Sequence, residues 1–212
     1  MIRDLCPVLF ALFLSLALVS TGCTSIRTTD THNTTVAVQS FNTWAEGQNE
    51  LDSELRDTTA VIGGHITTYN TEIAKDRPDY SLIRQNLAED RQYLDRWGSR
   101  LDTLSAATDR FEQETSTLIY ENATAQEIEG HLAVMTQFMK IYAVDLGNAR
   151  QYLIEYVNNA EAYVAPDDPE YWNENFRQDA LTATTNAAGA MDQGDAALND
   201  LLREAKELEK LQ

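Results

Sequence analysis

The chain runs to 212 residues with 43% hydrophobic side chains and a formal net charge of −18, enough apolar content to bury a core beneath a strongly acidic surface. That charge, with four lysines against twelve arginines, excludes the basic footprint of a nucleic-acid-binding domain and a polybasic patch for anionic lipid. Both cysteines, Cys6 and Cys23, fall at the N-terminal end, so the rest of the sequence has no disulfide, cysteine metal site or cysteine nucleophile.

The first element is a single cation, Arg3, followed by a mostly apolar run from Leu5 to Val19 and then Ser20-Thr21-Gly22-Cys23. The run is too short to span a bilayer comfortably but suits the core of an export signal, and the small residues before Cys23 offer a peptidase a narrow, extended substrate. This end resembles the lipobox of prokaryotic lipoproteins, although Ser20 stands where the family usually has leucine. The resemblance implies that residues 1–22 are a lipoprotein signal peptide and that Cys23 is lipidated, becoming the new N-terminus and making the membrane the first partner. An ordinary secretory signal and an uncleaved anchor are the alternatives, and all three place Thr24 to Gln212 outside the cytoplasm. Residues 23–35 are Thr-rich and lack a helical apolar period, so they read as a tether. Asn33-Thr34-Thr35 and Asn122-Ala123-Thr124 fit the glycosylation sequon in segments read as non-helical, making Asn33 and Asn122 candidate acceptors.

Four stripes at steps of three and four follow. The first runs from Phe41 through Trp44, Leu51 and Ile62 to Ile73. The second is the most regular, from Tyr80 through Leu87, Leu94, Trp97 and Leu104 to Leu118, with polar lapses at Asp90, Thr108 and Thr115. The third runs from Ile128 to Val164 and the fourth from Trp172 to Leu208. Stripes of this length predict helices packed side by side with near-coiled-coil geometry. The helices are expected at about 36–75, 79–119, 125–164 and 169–211. Pro78 separates the first pair, a Thr124 to Glu127 capping box opens the third, and Asp168-Pro169 opens the fourth. Connections of roughly four to six residues favour antiparallel neighbours. The expected fold is therefore all-α, an elongated antiparallel four-helix bundle over residues 36–212 in up-down-up-down order, its helices roughly 60 Å long. Gly63-Gly64 inside the first helix suggests a kink or a close crossing, and the alanine-rich middle of the fourth suggests close approach to a neighbour.

Chemistry is sparse. A ferritin-like di-iron site needs Glu-x-x-His on two helices. His65 has no glutamate three before it, and Glu127 stands four before His131, so no metal site, cofactor or catalytic residue is assigned and the chain is not read as an enzyme. Tyr80, Tyr163, Tyr171 and Trp172 should gather at one bundle end, with Tyr69 near, forming a plug that closes the core or a small ligand pocket. The resulting expectation is an exported, lipid-anchored bundle in the cell envelope, on the cell membrane or on a Gram-negative outer membrane, with a structural or protein-interaction role and an envelope protein as partner. The alternative is an extracytoplasmic sensor or small-ligand-binding module with its pocket at the aromatic end.

Overall fold

The computed structural model describes residues 28–118 and 123–210. Among them the elements are α1 (Thr28–Ile73), α2 (Tyr80–Ser116), α3 (Ala123–Tyr163), a 3-10 turn (Pro169–Tyr171) and α4 (Glu174–Glu209), with no strand. The four-helix, all-α architecture is thus the expected one.

The chain divides into two compact units, each taking a segment of every helix. Unit 2 comprises Leu51–Asp102 and Val144–Gln193; unit 1 comprises Thr103–Ala143, the described residues up to Glu50, and those from Gly194 onward. Contacts within each unit show antiparallel neighbours. In unit 2 the α1–α2 pairs are Glu54 with Arg96 and His65 with Asp90, so position falls along one helix as it rises along the other. In unit 1 Trp44 faces Thr108 and Phe41 faces Phe111 in the same sense.

The stripes became the cores because each turn returns an apolar side chain to the same face. From Ile83 to Thr115, every position of the α2 stripe is buried, including its polar lapses. Unit 1 closes on an aromatic cluster, with Phe41 5.8 Å from Trp44 and 6.2 Å from Phe111, and Trp44 6.3 Å from Tyr142. The Trp44 indole donates to the Thr108 hydroxyl at 3.0 Å, which in turn donates to the Leu104 carbonyl. In unit 2 the α4 face is small, with Ala180, Ala183, Ala187 and Ala190 all buried.

Several boundaries depart from expectation. Residues 28–35 belong to α1 rather than to a tether, and Asn33 lies within that helix rather than in a loop. Threonine costs only a few tenths of a kcal/mol in a helix, and extending an existing helix needs no new nucleus. The α1–α2 connection is built by Glu72, which accepts from the Lys75 ammonium and from the Asp79 amide at 3.0 Å, and Asp79 caps α2 by accepting from the Leu82 amide. Helix α3 runs from Ala123 to Tyr163, so Thr124 stands within it. Asp168-Pro169 opens only the 3-10 turn, with Asp168 accepting from the Glu170 amide. Trp172 is then extended, and α4 restarts behind Asn173, whose side chain accepts from the Asn175 amide. Nor is Gly63-Gly64 a close crossing: a Cβ on either would meet nothing within 4 Å. The close approach is at Gly98, where a Cβ would lie 2.9 Å from the Arg150 guanidinium.

Candidate functional site

Of the four aromatic candidates, unit 2 brings three together. Trp172 lies 4.7 Å from Tyr163 and 6.2 Å from Tyr80, ring centre to ring centre, and its indole donates to the Pro166 carbonyl at 3.1 Å. Arg84, reaching the Val164 carbonyl and the Asp167 carboxylate, ties α2 to the same loop. Burial raises the Tyr80 and Tyr163 phenols above their ordinary range. Tyr171 points away, 70% exposed, because it sits on the outer side of the 3-10 turn. Trp172 is thus in ring contact with both tyrosines and bonded to the backbone. The expected neighbour Tyr69 makes its ring contact with Tyr156 at 6.3 Å, and its phenol, raised by burial, lies near enough to Tyr163 to be raised by it as well.

That contact leads to a site the sequence reading passed over. Asp90, noted only as a lapse in the α2 stripe, is completely buried, and its Oδ1 lies 2.6 Å from Nδ1 of His65 on α1. Its second oxygen has no hydrogen-bond partner, and neither has the buried hydroxyl of Tyr156 on α3 or that of Tyr69 on α1. Buried polar atoms are nearly always paired, and of the unpartnered ones in this unit Asp90 is the only carboxylate. Burial pushes the Asp90 carboxyl up to about 6, overcoming the opposing hydrogen bond from His65, and Glu89 adds to the rise. The Tyr156 phenol is raised by burial and by the nearby Asp90 charge, and Tyr69 by burial. The detectable signal was an ionisable residue on an inward stripe position. Its partner could be named only once the α1–α2 register was known.

The remaining candidates divide as follows. His131 pairs with Glu204 at 2.6 Å, joining α3 to α4 in unit 1. Cys23, Asn122 and residues 1–22 lie outside the described residues. Among the described residues no group of three or more histidine, cysteine, aspartate or glutamate side chains could hold a metal ion, and no helix is long and apolar enough to cross a membrane. On the outside of α3, Val134 and Ile141 of unit 1 are exposed, two turns apart with half-buried Phe138 between them. No family model, curated protein or solved structure matches this chain.

Proposed function

We propose that the chain is an exported, lipid-anchored helical bundle that serves as a protein-interaction component of the cell envelope. The observation that carries the interaction role is the outward strip of α3 in unit 1, where Val134, Phe138 and Ile141 share one side of the helix. Scattered exposed apolar residues need no explanation. Three at helical spacing, on a chain with a net charge of −18, form a directional apolar surface of the kind a partner helix covers. The address rests on the Ser20-Thr21-Gly22-Cys23 sequence at the end of the apolar run. In this reading the chain works by binding rather than by catalysis, and the ring contacts of Trp172 with Tyr80 and Tyr163 fit an aromatic end that closes a core.

Two experiments bear on the two halves. Cys23→Ala should release the chain from membranes or stall its processing, whereas unchanged membrane retention at full-length mass would show an uncleaved anchor. Co-purification from mildly solubilised membranes should yield a stoichiometric envelope protein that Val134→Lys with Ile141→Lys removes while the helical signal is kept. An unchanged set of co-purifying proteins would refute the α3 surface.

A further inference from the structure

We infer that His65 and Asp90 form a proton-operated clasp between α1 and α2 of unit 2, closed while the pair carries a proton and weakened when that proton leaves. The geometry supplies the argument. Asp90 has no exposed surface, one oxygen is engaged at 2.6 Å by His65, and the other has no partner. A buried carboxylate needs a compensating charge or several donors, and this one has a single imidazole.

While its carboxyl holds the proton, Asp90 is a neutral acid beside the imidazole and adds no charge to the core. Removing that proton leaves a buried anion held by one imidazole. The groups facing Asp90 do not replace the lost charge. Tyr156 on α3 is a phenol, and Glu89 on the same helix is a second anion with its carboxylate 3.9 Å from the far nitrogen of His65. The fully buried positions of α4 in this unit, Ala180, Ala183, Ala187 and Ala190, are uncharged, and Arg177 of α4, whose Nε is buried, is paired through Nη1 with Glu174. His65 keeps 18% of its side-chain surface exposed, which gives protons a route from solvent to a carboxyl that has none.

The sign follows from linkage. Burial raises the folded-state carboxyl from its ordinary 3.8 to about 6. The stability from the protonated pair is therefore fully present below about pH 4 and is lost as pH rises through 6. Mild acidity tightens unit 2 and neutrality loosens it.

Carboxyl-carbon NMR on the full-length protein in detergent micelles reads the site directly. The Asp90 resonance should titrate with a midpoint near 6, and a midpoint near the ordinary aspartate value would overturn the proposal. Amide exchange, corrected for intrinsic rates, gives the mechanical readout. Protection of unit 2 segments of α1 and α2 should fall roughly tenfold from pH 5 to pH 7.5, and Asp90→Asn should abolish that fall. A fall of the same size in Asp90→Asn would refute the clasp. If that variant fails to fold, the wild-type titration decides alone.

Discussion

Each unit buries one tryptophan completely, and the two are served differently. In unit 1 the Trp44 N–H meets the Thr108 hydroxyl; in unit 2 the Trp97 N–H meets nothing. The contrast extends beyond this pair. Among the described residues, the unpartnered buried side-chain atoms comprise the Ser40 hydroxyl in unit 1 and, in unit 2, the hydroxyls of Thr58, Tyr69, Tyr80 and Tyr156, Asp90 Oδ2, the Trp97 N–H and Arg177 Nε. Each such group costs about 1–3 kcal/mol. Two regions drawn from the same four amphipathic helices therefore differ in how many buried polar atoms go unpaired. Apolar patterning makes a bundle in both, and the unpaired polar residues let into the pattern distinguish unit 2.

The largest test of that contrast is a charge placed in each core. Leu94→Asp in unit 2 buries a carboxylate one turn from Asp90, and Leu104→Asp does the same in unit 1. Both should cost about 4 kcal/mol or more. Leu94→Asp should be the worse because a second buried acid already lies beside it. Thermal melts check the order, and equal losses would mean that unit 2 has no added sensitivity. Arg96→Ala is the mild control: its bond to Glu54 and its place 4.0 Å over the Tyr93 ring are at the surface.

Trp172→Ala comes next. Removing a ring held between Tyr80 and Tyr163, and its bond to Pro166, should cost about 3 kcal/mol if the aromatic end is a plug. A metabolite that raises the melting temperature of the wild type but not of this variant would make the end a ligand pocket instead.

A smaller effect compares the tryptophans themselves. Trp44→Phe loses a hydrogen bond as well as volume, whereas Trp97→Phe loses similar volume but discards an unpartnered N–H. Trp44→Phe should therefore be the more destabilising by about 1 kcal/mol. Chemical denaturation resolves that difference, and a reversed order would place an unseen partner on Trp97.

How much of this could be read from the sequence depends on the range of the interaction. The stripes were legible because burial repeats every three or four residues, so Ile83 to Thr115 announced itself. Short-range caps were less secure. Asp168-Pro169 carries a start signal, but the turn it opens ends at Tyr171, and Trp172 is extended and in ring contact with Tyr80, far away in sequence. The tether failed differently: Thr28 to Thr35 lack an apolar period, yet extending α1 through them costs little. Asp90 was visible as a lapse and His65 as a histidine off its stripe. Only the antiparallel register brings positions 65 and 90 together, and nothing local encodes that pairing.

The smallest effects concern three glycines within unit 2. Gly63 and Gly64 sit mid-helix with open space where a Cβ would go, so Gly63→Ala and Gly64→Ala should each stabilise by about 0.5–1 kcal/mol by removing backbone freedom from the unfolded chain. Gly98 has the same helical backbone but a different neighbour. Arg150 lies across it, donating from Nε to the Leu94 carbonyl at 2.6 Å and approaching Asp95 at 3.6 Å. A methyl group at 98 would displace the guanidinium, which can move because it ends a long side chain, but that bond would go with it. The gain in propensity and the loss of a charged hydrogen bond oppose each other, so Gly98→Ala should be neutral to destabilising by about 1 kcal/mol. Melting temperatures of the three single variants decide it. If Gly98→Ala stabilised as much as the other two, the Arg150 contact would contribute nothing to holding α2 and α3 together in this unit.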